Sequence, residues 1–167
     1  MAAPLSERIR LKIREAAELY HRLILVVGPP RSGKTIALQE LAADDGRPLL
    51  NVNLNLSRVL LELSHRQRAV QVPRRLADLA DSASSDIVLL DNIELLFSTE
   101  LAQDPIRLLQ GLSRNRTIVA TWPGAFDGTY LTYAEPGHPE ARRYTRPEAI
   151  VVCMEEHSAA QQEYNPA

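Results

Sequence analysis

Apolar positions along the chain fall into short unbroken runs separated by stretches with helical spacing. Leu23-Ile24-Leu25-Val26-Val27 is an aliphatic run of the length of a buried parallel strand. Ile36-Ala-Leu-Gln-Glu-Leu-Ala-Ala43 then spaces its apolar residues as a helix does, and Asp44-Asp45-Gly46-Arg47-Pro48 stops it. Leu49 to Asn53 reads as a second strand, with Asn51 and Asn53 alternating with apolar positions. Asn55 to Leu63 reads as a helix, with Leu56, Val59, Leu60 and Leu63 on one face. Pro73 is placed to start another helix, through Leu76, Leu79 and Ala80, and His65 to Arg68 reads as a basic, solvated loop. Ile87 to Leu90 is a further aliphatic run. Leu101 to Leu112 is helical in pattern, with a break or restart at Asp104-Pro105. Thr117 to Thr121, Tyr130 to Ala134 and Ala149 to Met154 complete the strands. Ahead of them, residues 6–22 predict a helix that Ser6 caps, with Ile9, Ile13, Ala16, Ala17 and Tyr20 in one stripe. Strands alternating with helices predict an α/β fold around a mainly parallel sheet. The expected layout is a single domain over 1–167: helix 6–22, core 23–154 and a polar tail 155–167.

The chemistry enters at the end of the first strand. Gly28-Pro29-Pro30-Arg31-Ser32-Gly33-Lys34-Thr35 fits G-x-x-x-x-G-K-[ST], the phosphate-binding P-loop, and the strand before it and helix after it are the context that motif requires. Backbone N–H groups from Arg31 to Thr35 are expected to form a nest at the positive end of the helix. Lys34 is expected on the β- and γ-phosphates, with the Thr35 hydroxyl on Mg²⁺. Pro29 and Pro30 lack N–H groups, but they precede the amides that do most of the cradling.

A second signature follows. Ile87-Val88-Leu89-Leu90-Asp91 is a buried-strand pattern ending in a carboxylate, the Walker B arrangement in which the Asp faces Mg²⁺. The residue after it is Asn92, where hydrolytic P-loop enzymes usually carry Glu. An amide orients water but cannot take its proton. Glu94 is the nearest carboxylate, and it reads equally as a catalytic group and as an acid favoured at a helix N-terminus. Thr121 ends its strand on the edge where ligands bind, placed to sense the γ-phosphate or the attacking water.

Composition narrows the reading. Apolar residues make up 45% of 167 residues, which suits one globular domain with a sizeable core. The net charge of −2 gives no global field for nucleic acid, so DNA contact is left to local arginine clusters. Lys12 and Lys34 are the two lysines in the chain. A single cysteine, Cys153, allows no intramolecular disulfide and suits a reducing cytoplasm. The apolar runs are far below the roughly 20 residues that span a bilayer, and the charged N-terminus does not read as a secretory leader.

The order of strand, P-loop, helix, strand, Walker B strand and polar-ended strand resembles the core of AAA+ ATPases. That resemblance implies a three-layer P-loop NTPase with the P-loop strand flanked by the Thr121 strand and the final strand. The chain is too short for the helical lid domain usual in that class, which is a departure from it; in the class an arginine from a neighbouring subunit often completes the site. Arg114, Arg116, Arg142 and Arg143 are the arginines suggested for that part. Four stretches point more narrowly: Leu50-Asn51-Val52-Asn53-Leu54, Leu89 to Phe97 (LLDNIELLF), Gln103 to Thr117, and Tyr133-Ala134-Glu135-Pro136-Gly137-His138-Pro139. Together they resemble the BrxF family, the small P-loop proteins of type 3 BREX bacteriophage-exclusion systems. The resemblance implies a cytoplasmic bacterial protein that works with the other BREX components. ATP and Mg²⁺ are expected from the P-loop and Asp91, a homo-oligomer is expected, and the short apolar runs give no membrane partner. Two other readings stand beside it. One is a nucleotide-gated assembly module without hydrolysis, which Asn92 favours. The other is a small-molecule kinase that uses His65 to Arg75 as an arginine-rich lid.

Overall fold

The computed structural model describes residues 3–154. Its centre is a parallel sheet in the order β2-β3-β4-β1-β7. β1 (Leu23–Gly28) is buried along its whole length, and it lies between β4 (Thr117–Phe126) and β7 (Ile150–Cys153), parallel to both. β3 (Ile87–Asp91) pairs with β4 and with β2 (Leu49–Asn51), which sets Asn51 opposite Asp91. A strand buried on both faces must be apolar on both faces, which is why β1 and β3 read as continuous runs rather than as alternation.

Helices cover both faces, giving three layers. α1 (Leu5–Ala16) and α2 (Lys34–Asp45) pack on one side, around Ile9, Ile24, Val26, Leu38, Leu41, Leu89 and Val119. On the other side α3 (Val52–Leu60), α4 (His65–Ser82) and α5 (Pro105–Leu112) cover Leu25, Val88, Leu90 and Ala120. No helix among the described residues is long and apolar enough to cross a membrane, and none of them forms a helical lid over the sheet.

Several boundaries differ from the sequence expectation. α1 ends at Ala16, and Pro4 rather than Ser6 precedes it. Ser6 lies buried inside the helix, and Tyr20 is exposed beyond it. The second strand stops at Asn51 because the Asn51 side chain accepts the Leu54 N–H at 3.0 Å and caps α3. α3 therefore begins at Val52, not Asn55. His65 to Arg68 is not a loop: Ser64 and Gln67 form a capping box that starts α4 there. Pro73 lies inside α4, not at its start. Proline has no N–H to give the carbonyl four residues back, and here the Gln103 side chain donates to that Ala69 carbonyl at 2.7 Å instead.

β4 outruns its parallel partners. Beyond Pro123 it continues into an antiparallel hairpin with β5 (Tyr130–Tyr133) and β6 (Arg142–Thr145). The sequence reading gave β5 but no strand at Arg142–Thr145. β7 is one residue shorter at each end than the predicted Ala149–Met154. The predicted tail 155–167 lies outside the described residues.

Candidate nucleotide site

The C-terminal ends of β1 and β3 meet the middle of β4, near Thr121, at one edge of the sheet, and the P-loop leaves β1 there. Arg31 takes a positive φ of 61° and Gly33 one of 101°, which curls the loop and turns it into α2. Gly28 is fixed by close approach, because a Cβ there would lie 2.4 Å from the Met154 side chain and 2.8 Å from Ser32 Oγ. Met154 comes from the end of the neighbouring strand, where its N–H donates to the Val27 carbonyl at 3.0 Å. No local pattern marks Met154 as a residue that packs against the loop.

Lys34 is nearly buried, and its ammonium donates to the carbonyls of Gly28 (2.7 Å) and Pro29 (2.6 Å) and to Ser32 Oγ (3.3 Å). Burial lowers its pKa below the ordinary lysine value, and the charges of Asp91 and Glu94 oppose that shift. Phosphate oxygens are stronger acceptors for an ammonium than carbonyls are, so a polyphosphate in the nest takes over these donors.

Asp91 is the second anchor. Its Oδ2 accepts the Thr35 hydroxyl at 2.7 Å, and its Oδ1 accepts the Thr121 hydroxyl at 2.7 Å and the Asn92 N–H at 2.9 Å. One carboxylate thus ties together the helix after the P-loop, the Walker B strand and the middle of β4, which does not end at Thr121 as expected but runs on to Phe126. The Thr121 hydroxyl is committed to Asp91 rather than pointing free into the crevice. A Thr–Asp pair beside a phosphate nest fits a hydrated Mg²⁺ carried on the nucleotide, which needs few protein ligands. Mg²⁺ of this kind takes most of its other ligands from water and the phosphates themselves.

Asn92 turns the backbone. Its φ of 53° is left-handed, a region that asparagine tolerates better than glutamate does. Its carbonyl accepts the Asn53 N–H at 2.8 Å. Glu94 opens a short 3-10 turn, Glu94–Phe97, and lies within electrostatic reach of Lys34. Asn53 holds it there: Asn53 Nδ2 donates to Glu94 Oε2 at 2.8 Å, and Asn53 Oδ1 accepts the Leu95 N–H at 2.7 Å. Sequence reasoning missed Asn53, because an asparagine placed on a strand carried no signal that the chain turns there.

The four arginines divide. Arg114 lies over Tyr20, and Arg116 donates to the Ala80 carbonyl at 2.7 Å and pairs with Asp81. Both precede β4, at the sheet edge opposite the P-loop. Arg142 and Arg143 lie on β6, with Arg143 over the Tyr130 ring at 4.6 Å. The proposed kinase lid does not form. His65 to Arg75 belongs to α4, on the sheet face away from α2, where Arg68 caps the carbonyls of Leu60 and Leu63 at 2.8 and 3.1 Å.

The sequence profile of the ATPase family associated with various cellular activities (AAA) matches residues 24–118, more than half of the chain. The chain belongs to the AAA family. The match runs from β1 to the start of β4 and so takes in the P-loop, Asp91 and Glu94. Membership makes this a nucleotide-binding, ATPase-type domain. No curated protein matches the sequence. Among solved structures the chain is similar to PCH-2 of C. elegans, at 20% identity and a TM-score of 0.36, over 71% of this chain and 35% of that one. The chain thus spans about a third of that protein's length.

Proposed function

We propose that this protein is the ATP-binding subunit of a bacterial anti-phage complex of the BREX type, with slow or partner-stimulated hydrolysis. The observation that carries the nucleotide chemistry is the convergence of Lys34, Thr35, Asp91 and Thr121 at the mouth of β1. Lys34 and the P-loop amides, from Arg31 to Thr35, hold the polyphosphate. Thr35 and Asp91 hold Mg²⁺, and Asp91 is itself oriented by Thr121. Glu94 is the carboxylate available to polarise water once Asn53 yields it. The BREX assignment rests on the four stretches that resemble BrxF, and with it come the other BREX components as partners and the cytoplasm as the place of action.

A second reading has its own support. Asn92 cannot act as a base, and Glu94 is restrained by Asn53 at 2.8 Å. On that reading the nucleotide gates assembly of a homo-oligomer or a partner surface, and hydrolysis is absent. Phosphate release and ATP binding by wild type, Lys34→Ala and Glu94→Gln separate the two. Turnover lost in both variants, with binding kept in Glu94→Gln, is the expected result for an ATPase. Tight binding without turnover in the wild type at every concentration rules out autonomous hydrolysis and supports the gated module. In the homo-oligomer, Arg142 or Arg143 completes a neighbour's site from the hairpin, so turnover per subunit rises with protein concentration. A flat dependence across dilution counts against the trans arginine.

A further inference from the structure

The edge strand next to β1 brings the phosphate loop a methionine. Successive residues of β7 alternate across the sheet, so Ile150, Val152 and Met154 pack in the layer of α1 and α2 while Val151 packs in the other. Met154 follows the last residue of β7 and is half-buried. Its side chain lies along the loop. A Cβ on Gly28 would meet Met154 Cγ at 2.4 Å, and one on Gly33 would meet Met154 Cε at 3.4 Å. The sulfur sits between those two carbons, so the thioether spans the loop from its first glycine to its second. The main chain around it is pinned. The Met154 N–H donates to the Val27 carbonyl at 3.0 Å, and the Arg8 guanidinium donates to the Cys153 carbonyl at 2.6 Å. Gly28 is itself held in register opposite Pro123 of β4. With both backbones fixed at that end, a change in the size or polarity of the thioether is passed to the Gly33 end of the loop.

We propose that Met154 is an oxidation site that governs the phosphate loop, and that a peroxide is the reagent it takes. The inference rests on the reading of the loop as the cradle for a nucleotide. In the step, a sulfur lone pair attacks one peroxide oxygen, the O–O bond breaks and an S–O bond forms. The departing oxygen takes the proton of the transferred one and leaves as water. Sulfur is oxidised by two electrons and the peroxide is reduced, so no further reagent is needed. The product is a polar, chiral sulfoxide in place of a flexible apolar side chain. Its oxygen has to enter a contact already filled by the two glycines on one side and by the apolar layer of α1 and α2 on the other. It also sets a hydrogen-bond acceptor beside a loop whose N–H groups otherwise face phosphate. An aliphatic side chain of similar volume fills the same wall and does not answer an oxidant. Met1 is the other methionine of the chain, so Met154 is the one among the described residues.

The full chain is treated with hydrogen peroxide until peptide mass spectrometry shows Met154 carrying an added oxygen, and ATP affinity is measured by isothermal titration before and after. The expected result is a roughly tenfold loss, the size of an ordinary coupling between two sites. Methionine sulfoxide reductases, one for each epimer, restore the affinity. Met154→Leu and Cys153→Ser are each read against their own untreated sample. A loss abolished in Met154→Leu and kept in Cys153→Ser assigns the effect to the thioether. A loss that persists in Met154→Leu, or that vanishes in Cys153→Ser, overturns the proposal. So do a Met154 that stays reduced while Met1 is oxidised, an oxidised Met154 with unchanged affinity, and a loss that accompanies global unfolding by circular dichroism. A second arm needs no nucleotide. The amide NMR signals of Gly28 and Gly33 are expected to move on oxidation of the wild type and to hold still in Met154→Leu, and glycine signals unmoved in the wild type overturn the proposal. Untreated protein that binds no ATP sinks the nucleotide reading alone, and the glycine signals then decide.

Discussion

Lys34 shows how a single position is set before any ligand arrives. Its ammonium is held by two carbonyls of its own loop while burial disfavours its charge. Removing it deletes the charge-assisted contacts to phosphate, so Lys34→Ala is expected to lose about 100-fold or more in nucleotide affinity by isothermal titration. Asn53 is set just as tightly from the other side. Asn53→Ala strips partners from Glu94 and from the Leu95 N–H together, and urea unfolding should record a cost of about 1–3 kcal/mol. Asn92 answers the question of the missing glutamate in backbone terms. The chain turns left-handed there, so Asn92→Glu is expected to lower stability by roughly 1 kcal/mol rather than to install a better base. Lys34 and Asp91 were legible from spacing alone. Asn53 was not, because its role exists only where the start of α3 meets the turn after β3.

α4 carries a proline in its interior, and the helix survives because a second element repairs the gap. Gln103, in the segment before α5, donates to the Ala69 carbonyl that Pro73 leaves unpaired. Gln103→Ala should therefore cost about 1–2 kcal/mol, and much of that loss should disappear in a Pro73→Ala background, where the new N–H reaches the same carbonyl. A double-mutant cycle in denaturant measures the coupling, and simple additivity refutes this account. From the sequence, Pro73 read as a helix start, since its rescuer lies far along the chain. The capping box at Ser64 and Gln67 was there to be read, yet the basic run His65 to Arg68 pointed to a loop. For the buried strands the run of apolar residues sufficed, because burial on both faces leaves no room for another pattern.

Across the whole molecule, the hairpin is tied down by an aromatic cluster. Trp122 meets Tyr144 edge-on at 5.9 Å, and the Tyr144 hydroxyl donates to Asp104 at 2.9 Å. Burial first, then that carboxylate, push the Tyr144 phenol far above its ordinary pKa of 10.0. Below pH 10 folded and unfolded chains both keep the proton, so the contribution is complete. Above it the unfolded phenol ionises while the folded one holds on, and stability falls as pH rises, by up to about 1.4 kcal/mol per pH unit for each such group. Tyr144→Phe is expected to flatten that alkaline loss in Tm measured from pH 9.5 upward, at roughly 1 kcal/mol lower stability near neutrality for the lost hydrogen bond.

The amino-acid sequence by itself determined the layered α/β core, the P-loop and the Walker B aspartate. These depend on local periodicity and on residue types whose chemistry is fixed by spacing within one strand, loop or helix. Only the tertiary structure decided which groups surround them. It placed Asn53 on Glu94, Thr121 on Asp91, Met154 against Gly28 and Tyr133 against Phe97, and it put Arg114 and Arg116 at the far edge of the sheet. Each of these joins segments distant in the chain, and their meeting follows from strand order and register, which no single stretch of sequence encodes.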